Sequence, residues 1–93
     1  MKSVQEAPLA HYVREYSALP GLQQAHCVEY TLRRSDTMLC FSARRSSEAA
    51  PVSYYTAALE EVPACQLLCY LYENSIGPEQ LRDVLSDFCG RTL

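Results

Sequence analysis

The chain has 93 residues, enough for one domain, and a domain of that size buries only somewhat over about 60 % of its unfolded surface, which argues against a large enclosed active site. At 48 % hydrophobic and 20 % charged residues the composition is globular, which excludes wholesale disorder. The net charge of −3 is uneven: residues 51–93 hold six acidic residues against Arg82 and Arg91, whereas residues 1–50 are nearly balanced.

The first sixteen residues carry Lys2, Glu6, Arg14 and Glu15 and lack the apolar run of a signal peptide. No stretch reaches the roughly 18 apolar residues of a membrane span, so a cytoplasmic location without membrane contact is expected. Five cysteines (Cys27, Cys40, Cys65, Cys69, Cys89) agree with that expectation as reduced thiols that fill space like small hydrophobes.

Residues 1–25 read as an N-terminal segment docked on a single α+β domain of residues 26–93. Leu9, Tyr12, Val13 and Tyr16 fall at helical spacing and predict a short helix over 8–18 that ends at Pro20-Gly21, although Tyr12, Val13 and Tyr16 are also good strand formers. Strands are predicted over 26–34 and 37–45, because Val28, Tyr30 and Leu32 alternate with polar residues and so do Leu39, Phe41 and Ala43. With Ser35-Asp36 as the turn, Leu32 faces Leu39, Tyr30 faces Phe41 and Val28 faces Ala43. The opposite face then carries Glu29, Thr31, Arg33, Cys40, Ser42 and Arg44.

A third strand is expected over 52–59, with either Val52, Tyr54, Thr56 and Ala58 or Tyr55, Ala57 and Leu59 turned inward. Two helices follow. The first, 63–74, starts at Pro63, where a missing N–H costs nothing, and presents Ala64, Leu67, Leu68, Leu71 and Tyr72. The second, 78–89, presents Leu81, Val84, Leu85 and Phe88 and stops at Gly90. The predicted fold is a three-stranded antiparallel sheet packed by a C-terminal αα-hairpin, with the Phe88 ring in the core.

The helix pair is not a DNA reader by its charge: Glu79, Asp83 and Asp87 against Arg82 would repel phosphates. The arginine pairs Arg33-Arg34 and Arg44-Arg45 are expected at opposite ends of the hairpin, which argues against one nucleic-acid-binding patch. Cys65 and Cys69, spaced i, i+4 on one helix, with His26 are weak candidates for a metal site, but closely spaced cysteine pairs on turns are the stronger zinc signal. His11 and His26 supply no evident activation for a thiolate. With three glycines and no phosphate loop, the expectation is a non-enzyme without cofactor or metal.

"VEYTL", "MLCFSARR", "SYYTAALEEV" and "CQLLCYLYENSIGPEQLRDVLSDF" together resemble a small uncharacterised family from anaerobic Gram-positive bacteria. The likeness spans about residues 28 to 88 and is carried by the tail, at Leu67, Leu68, Leu71, Asn74, Ile76, Pro78, Leu81, Asp83, Val84, Asp87 and Phe88. Leu39-Cys40-Phe41 departs from that family's Tyr-Gly-Ile. The resemblance implies a bacterial cytosolic setting and no particular activity.

By subtraction, the expected role is a regulatory or protein-interaction module that binds another protein or a second copy of itself. Arg33, Arg44, Glu79, Asp83 and Asp87 are the candidate surface residues. A nucleic-acid-associated regulator using Arg33, Arg34, Arg44 and Arg45 is the alternative.

Overall fold

A computed structural model describes residues 8–21, 24–57 and 59–89. Four strands precede two helices: β1 (Ala10–Tyr16), β2 (His26–Ser35), β3 (Met38–Arg45), β4 (Val52–Thr56), α1 (Glu61–Glu73) and α2 (Pro78–Cys89). The strands form an antiparallel meander in the order β1-β2-β3-β4. Helix α1 lies across β1 and β2, and α2 across β3 and β4, all on one side. The α+β class is as expected, and the sheet has one strand more.

That extra strand replaces the predicted helix over 8–18. Residues Ala10, Tyr12, Arg14 and Tyr16 turn toward the helices, while His11, Val13 and Glu15 point outward. Period 2 prevails over period 3.6 here because β2 offers an unpaired edge, and because Tyr12 and Tyr16 find aromatic partners on the covered face. Tyr12 stacks on Tyr72 of α1 at 5.0 Å, and Tyr16 stacks on His26 at 4.7 Å.

The hairpin between β2 and β3 is one step off in its turn. Asp36-Thr37, not Ser35-Asp36, is the two-residue loop, so Leu32 pairs with Phe41, Tyr30 with Ala43 and Val28 with Arg45. Asp36 adopts φ 61°, a left-handed conformation that Asp tolerates better than most residues and that suits the first central position of a type II′ turn. The pairing is displaced by two residues, an even number, so every side chain keeps its predicted face. Val28, Tyr30, Leu32, Leu39, Phe41 and Ala43 are all buried.

Against this face α1 sets Ala64, Leu67, Leu68 and Leu71, and α2 sets Leu81 and Leu85. Strand β4 ends at Thr56, short of the predicted residue 59, with Val52, Tyr54 and Thr56 inward and Tyr55 outward. Ala58 and Gly90 lie outside the described residues. Helix α1 begins two residues earlier than predicted, at Glu61; its first i to i−4 bond is made by Ala64, so Pro63 still forfeits nothing.

The α1 terminus forms a Schellman motif. Ser75, at φ 54°, is the left-handed residue; its N–H bonds the Tyr72 carbonyl and the Ile76 N–H bonds the Leu71 carbonyl. The Tyr30 hydroxyl donates to the Ile76 carbonyl at 2.8 Å, which ties β2 to the helix linker. Burial pushes the Tyr30 phenol up to about 12.

One core expectation fails. Phe88 is 46 % exposed and meets the Tyr70 ring edge-on at 5.5 Å, and it is Cys89 that turns inward below Leu81 and Leu85. The buried stripe is Leu81, Leu85 and Cys89 at i, i+4 and i+8, with Val84 half-buried beside it. No described helix is long and apolar enough to cross a membrane.

Candidate functional site

Three arginines on the covered face are each committed to a helix end. Arg34, opposite Leu39, donates through Nε to Glu61 in the first turn of α1 at 3.1 Å, and through Nη2 to the same carboxylate. Arg45, opposite Val28, makes a two-pronged pair with Glu79 in the first turn of α2, at 2.8 and 3.1 Å. Arg14 reaches from β1 to the Tyr72 carbonyl at 3.3 Å and lies over the Tyr72 ring, placing a cation at the C-terminus of α1.

The Arg45 guanidinium holds the Glu79 carboxyl below its ordinary value. The pair packs over Gly77: a Cβ there would sit 2.5 Å from Glu79 Oε2 and 2.9 Å from Arg45 Nη2, so a larger residue would make these flexible side-chain ends shift. Among the remaining acidic residues of α2, Asp83 and Asp87 are exposed on the helical layer. The five candidate surface residues therefore do not share one surface, since Arg33 and Arg44 project from the opposite side of the sheet.

That opposite face is covered by no described element. Its centre is a pair of hydroxyl residues, Thr31 opposite Ser42. Two positions further along each strand stands an arginine, Arg33 on β2 and Arg44 on β3, so antiparallel pairing sets the two guanidiniums at diagonal corners of the hydroxyl pair. Glu29, Thr31, Arg33, Ser42, Arg44 and Pro51 line a hollow of about 180 Å³. The expectation that Arg33 and Arg44 stand apart holds for their backbones, but both side chains border this hollow.

Partners differ between the corners. Arg44 donates to the Glu48 carbonyl at 2.8 Å and lies 3.7 Å from Glu29, which also accepts from His11 Nε2 at 2.7 Å. Arg33, alone among the described arginines, makes no hydrogen bond or ion pair with a described residue. Thr31 is 7 % exposed, and neither its hydroxyl nor that of Ser42 has a hydrogen-bond partner among the described residues. Cys40 stands opposite Arg33 and Tyr55 opposite Cys40 on the next strand, where the bond to the Cys40 thiol raises the Tyr55 phenol above its ordinary value.

The weak metal candidates are not gathered. Cys65 and Cys69 lie on α1, where Cys69 meets the Tyr12 hydroxyl and raises that phenol. His26 stacks on Tyr16, and its Nδ1 donates to the Gln24 carbonyl at 3.0 Å. No cluster of three His, Cys, Asp or Glu able to hold a metal occurs among the described residues. On the helical side a second hollow of about 310 Å³, lined by Leu59, Pro63, Gln66, Leu67, Tyr70 and Phe88, is mostly apolar and open.

No known protein family matches the chain, and neither does any curated protein or solved structure.

Proposed function

We propose that the chain is a non-catalytic protein-binding module whose interface is the uncovered face of its four-stranded sheet. The carrying observation is the division of labour between the faces: the helix-covered side uses its arginines internally, whereas the open side keeps Arg33 without a partner among the described residues and, two strands away across Cys40, a Tyr55 that is 55 % exposed. Arginine and tyrosine are the residues that interfaces favour, and polar groups around them give orientation. At about 180 Å³ the hollow is below the roughly 300–1,000 Å³ of sites that enclose a small molecule, which suits a side chain better than a substrate.

The alternative of a nucleic-acid-associated regulator draws less support, because Arg34 and Arg45 are each held by a glutamate on the helical side. Two arginines, one of them beside Glu29, are a small electrostatic footprint for a phosphate backbone.

A photo-reactive amino acid placed at Tyr55 or at Val13 in the full chain, expressed in its native host, tests the proposal. Discrete protein adducts are expected from both positions and not from Asp83. An adduct at twice the chain mass would assign the partner to a second copy. Absence of adducts from both sheet-face positions overturns the proposal.

A further inference from the structure

We infer that the hollow around Thr31 and Ser42 receives a carboxylate of the partner polypeptide, an inference that rests on the open sheet face being the interface. Three features of the hollow point to this ligand. Its lining includes two hydroxyl residues, one of them more than nine-tenths buried, whose hydroxyls have no partner among the described residues. Such groups are costly to bury unbonded, and an oxygen ligand satisfies both at once.

One corner holds a free guanidinium. Arg33 presents a planar fork of donors that matches the two oxygens of a carboxylate. The surrounding charge is also selective: Arg33 and Arg44 are offset by Glu29, so the hollow carries one uncompensated positive charge. A monoanion balances that charge, whereas a doubly charged phosphate would meet the Glu29 carboxylate with excess negative charge. The arrangement therefore favours the side chain of Asp or Glu, or a chain terminus, on the partner.

The probe is a blocked tripeptide, acetyl-Gly-Glu-Gly-amide, whose single charge is a side-chain carboxylate, titrated into the full chain at constant ionic strength and followed by amide NMR. Saturable shifts are expected at Thr31, Arg33, Ser42 and Arg44. Arg33→Gln should weaken binding by about tenfold or more, the cost of losing a charge-assisted bond. Thr31→Val, which keeps the shape and removes the hydroxyl, should weaken it by about three- to tenfold without unfolding the chain.

Shifts produced equally by the Gln tripeptide, or retained in Arg33→Gln, overturn the inference. So does tighter binding of inorganic phosphate than of the tripeptide, which would assign the hollow to phosphate groups. If the tripeptide fails to bind while Tyr55 and Val13 still cross-link a partner, the carboxylate site falls and the interface stands; binding without cross-links removes the interface alone.

Discussion

The two faces of the sheet are made by the same strands, yet they use the same residue types for different ends. On the covered face Arg14, Arg34 and Arg45 each pin a helix terminus, and the Tyr30 hydroxyl is bonded to the helix linker. On the open face Arg33 and the Thr31 hydroxyl have no partner among the described residues. A polar group under a helix layer must be satisfied locally or it costs stability, whereas one on an open face can be left for a ligand. The difference separates residues that hold the fold from residues available to a partner.

The largest expected effect tests the boundary of the covered side. Phe41→Ala removes a fully buried ring and should cost about 3–5 kcal/mol by denaturant melting, whereas Phe88→Ala removes a half-exposed one and should cost no more than about 1–1.5 kcal/mol. Equal losses would place Phe88 in the core after all. Next, Tyr30→Phe leaves the Ile76 carbonyl without its donor and should lower stability by about 1–2 kcal/mol.

The Arg45–Glu79 pair is smaller, because Glu79 is well exposed; Glu79→Gln should cost at most about 1 kcal/mol at neutral pH. Since the folded carboxyl is held below its ordinary value, the contribution is full above the ordinary glutamate range and is lost as pH falls through the lowered value. Wild type and variant should converge in acid melts, and a gap that widens there contradicts the pairing. The smallest effect belongs to the open face. Thr31→Val, one residue from Tyr30, should change stability by less than about 0.5 kcal/mol or raise it, because no bond is lost. A loss comparable to that of Tyr30→Phe would mean the hydroxyl is already satisfied.

Much of the fold was legible because it rests on face parity. Alternation in β2 and β3 identified both the buried set and the outward Glu29, Thr31, Arg33, Ser42 and Arg44, and parity survived an error of two residues in pairing. The turn residue itself was not legible, since Ser35, Asp36 and Thr37 offer no glycine to mark the left-handed position. Strand β1 is ambiguous in sequence because Leu9, Tyr12, Val13 and Tyr16 stand at helical spacing while Tyr12, Val13 and Tyr16 are also good strand formers, and the β2 edge and the Tyr72 ring decide between them.

The hollow was half legible. Thr31-x-Arg33 and Ser42-x-Arg44 repeat a hydroxyl followed two residues later by an arginine, a signal that acquires meaning once Thr31 is known to face Ser42. Which arginines are free was beyond the sequence, because Glu61 and Glu79 come from helices distant along the chain and choose Arg34 and Arg45 only after docking.

The meander has a consequence for how the molecule is made. Each strand pairs with its neighbour along the chain, so the sheet can assemble from successive local hairpins as synthesis proceeds. Its apolar side, with Tyr30, Leu32 and Phe41, then waits for residues 61–89 to emerge and cover it. During that interval the nascent chain exposes the apolar surface that makes folding intermediates prone to aggregate. The helices are the cover that makes the sheet safe, and they follow it along the chain.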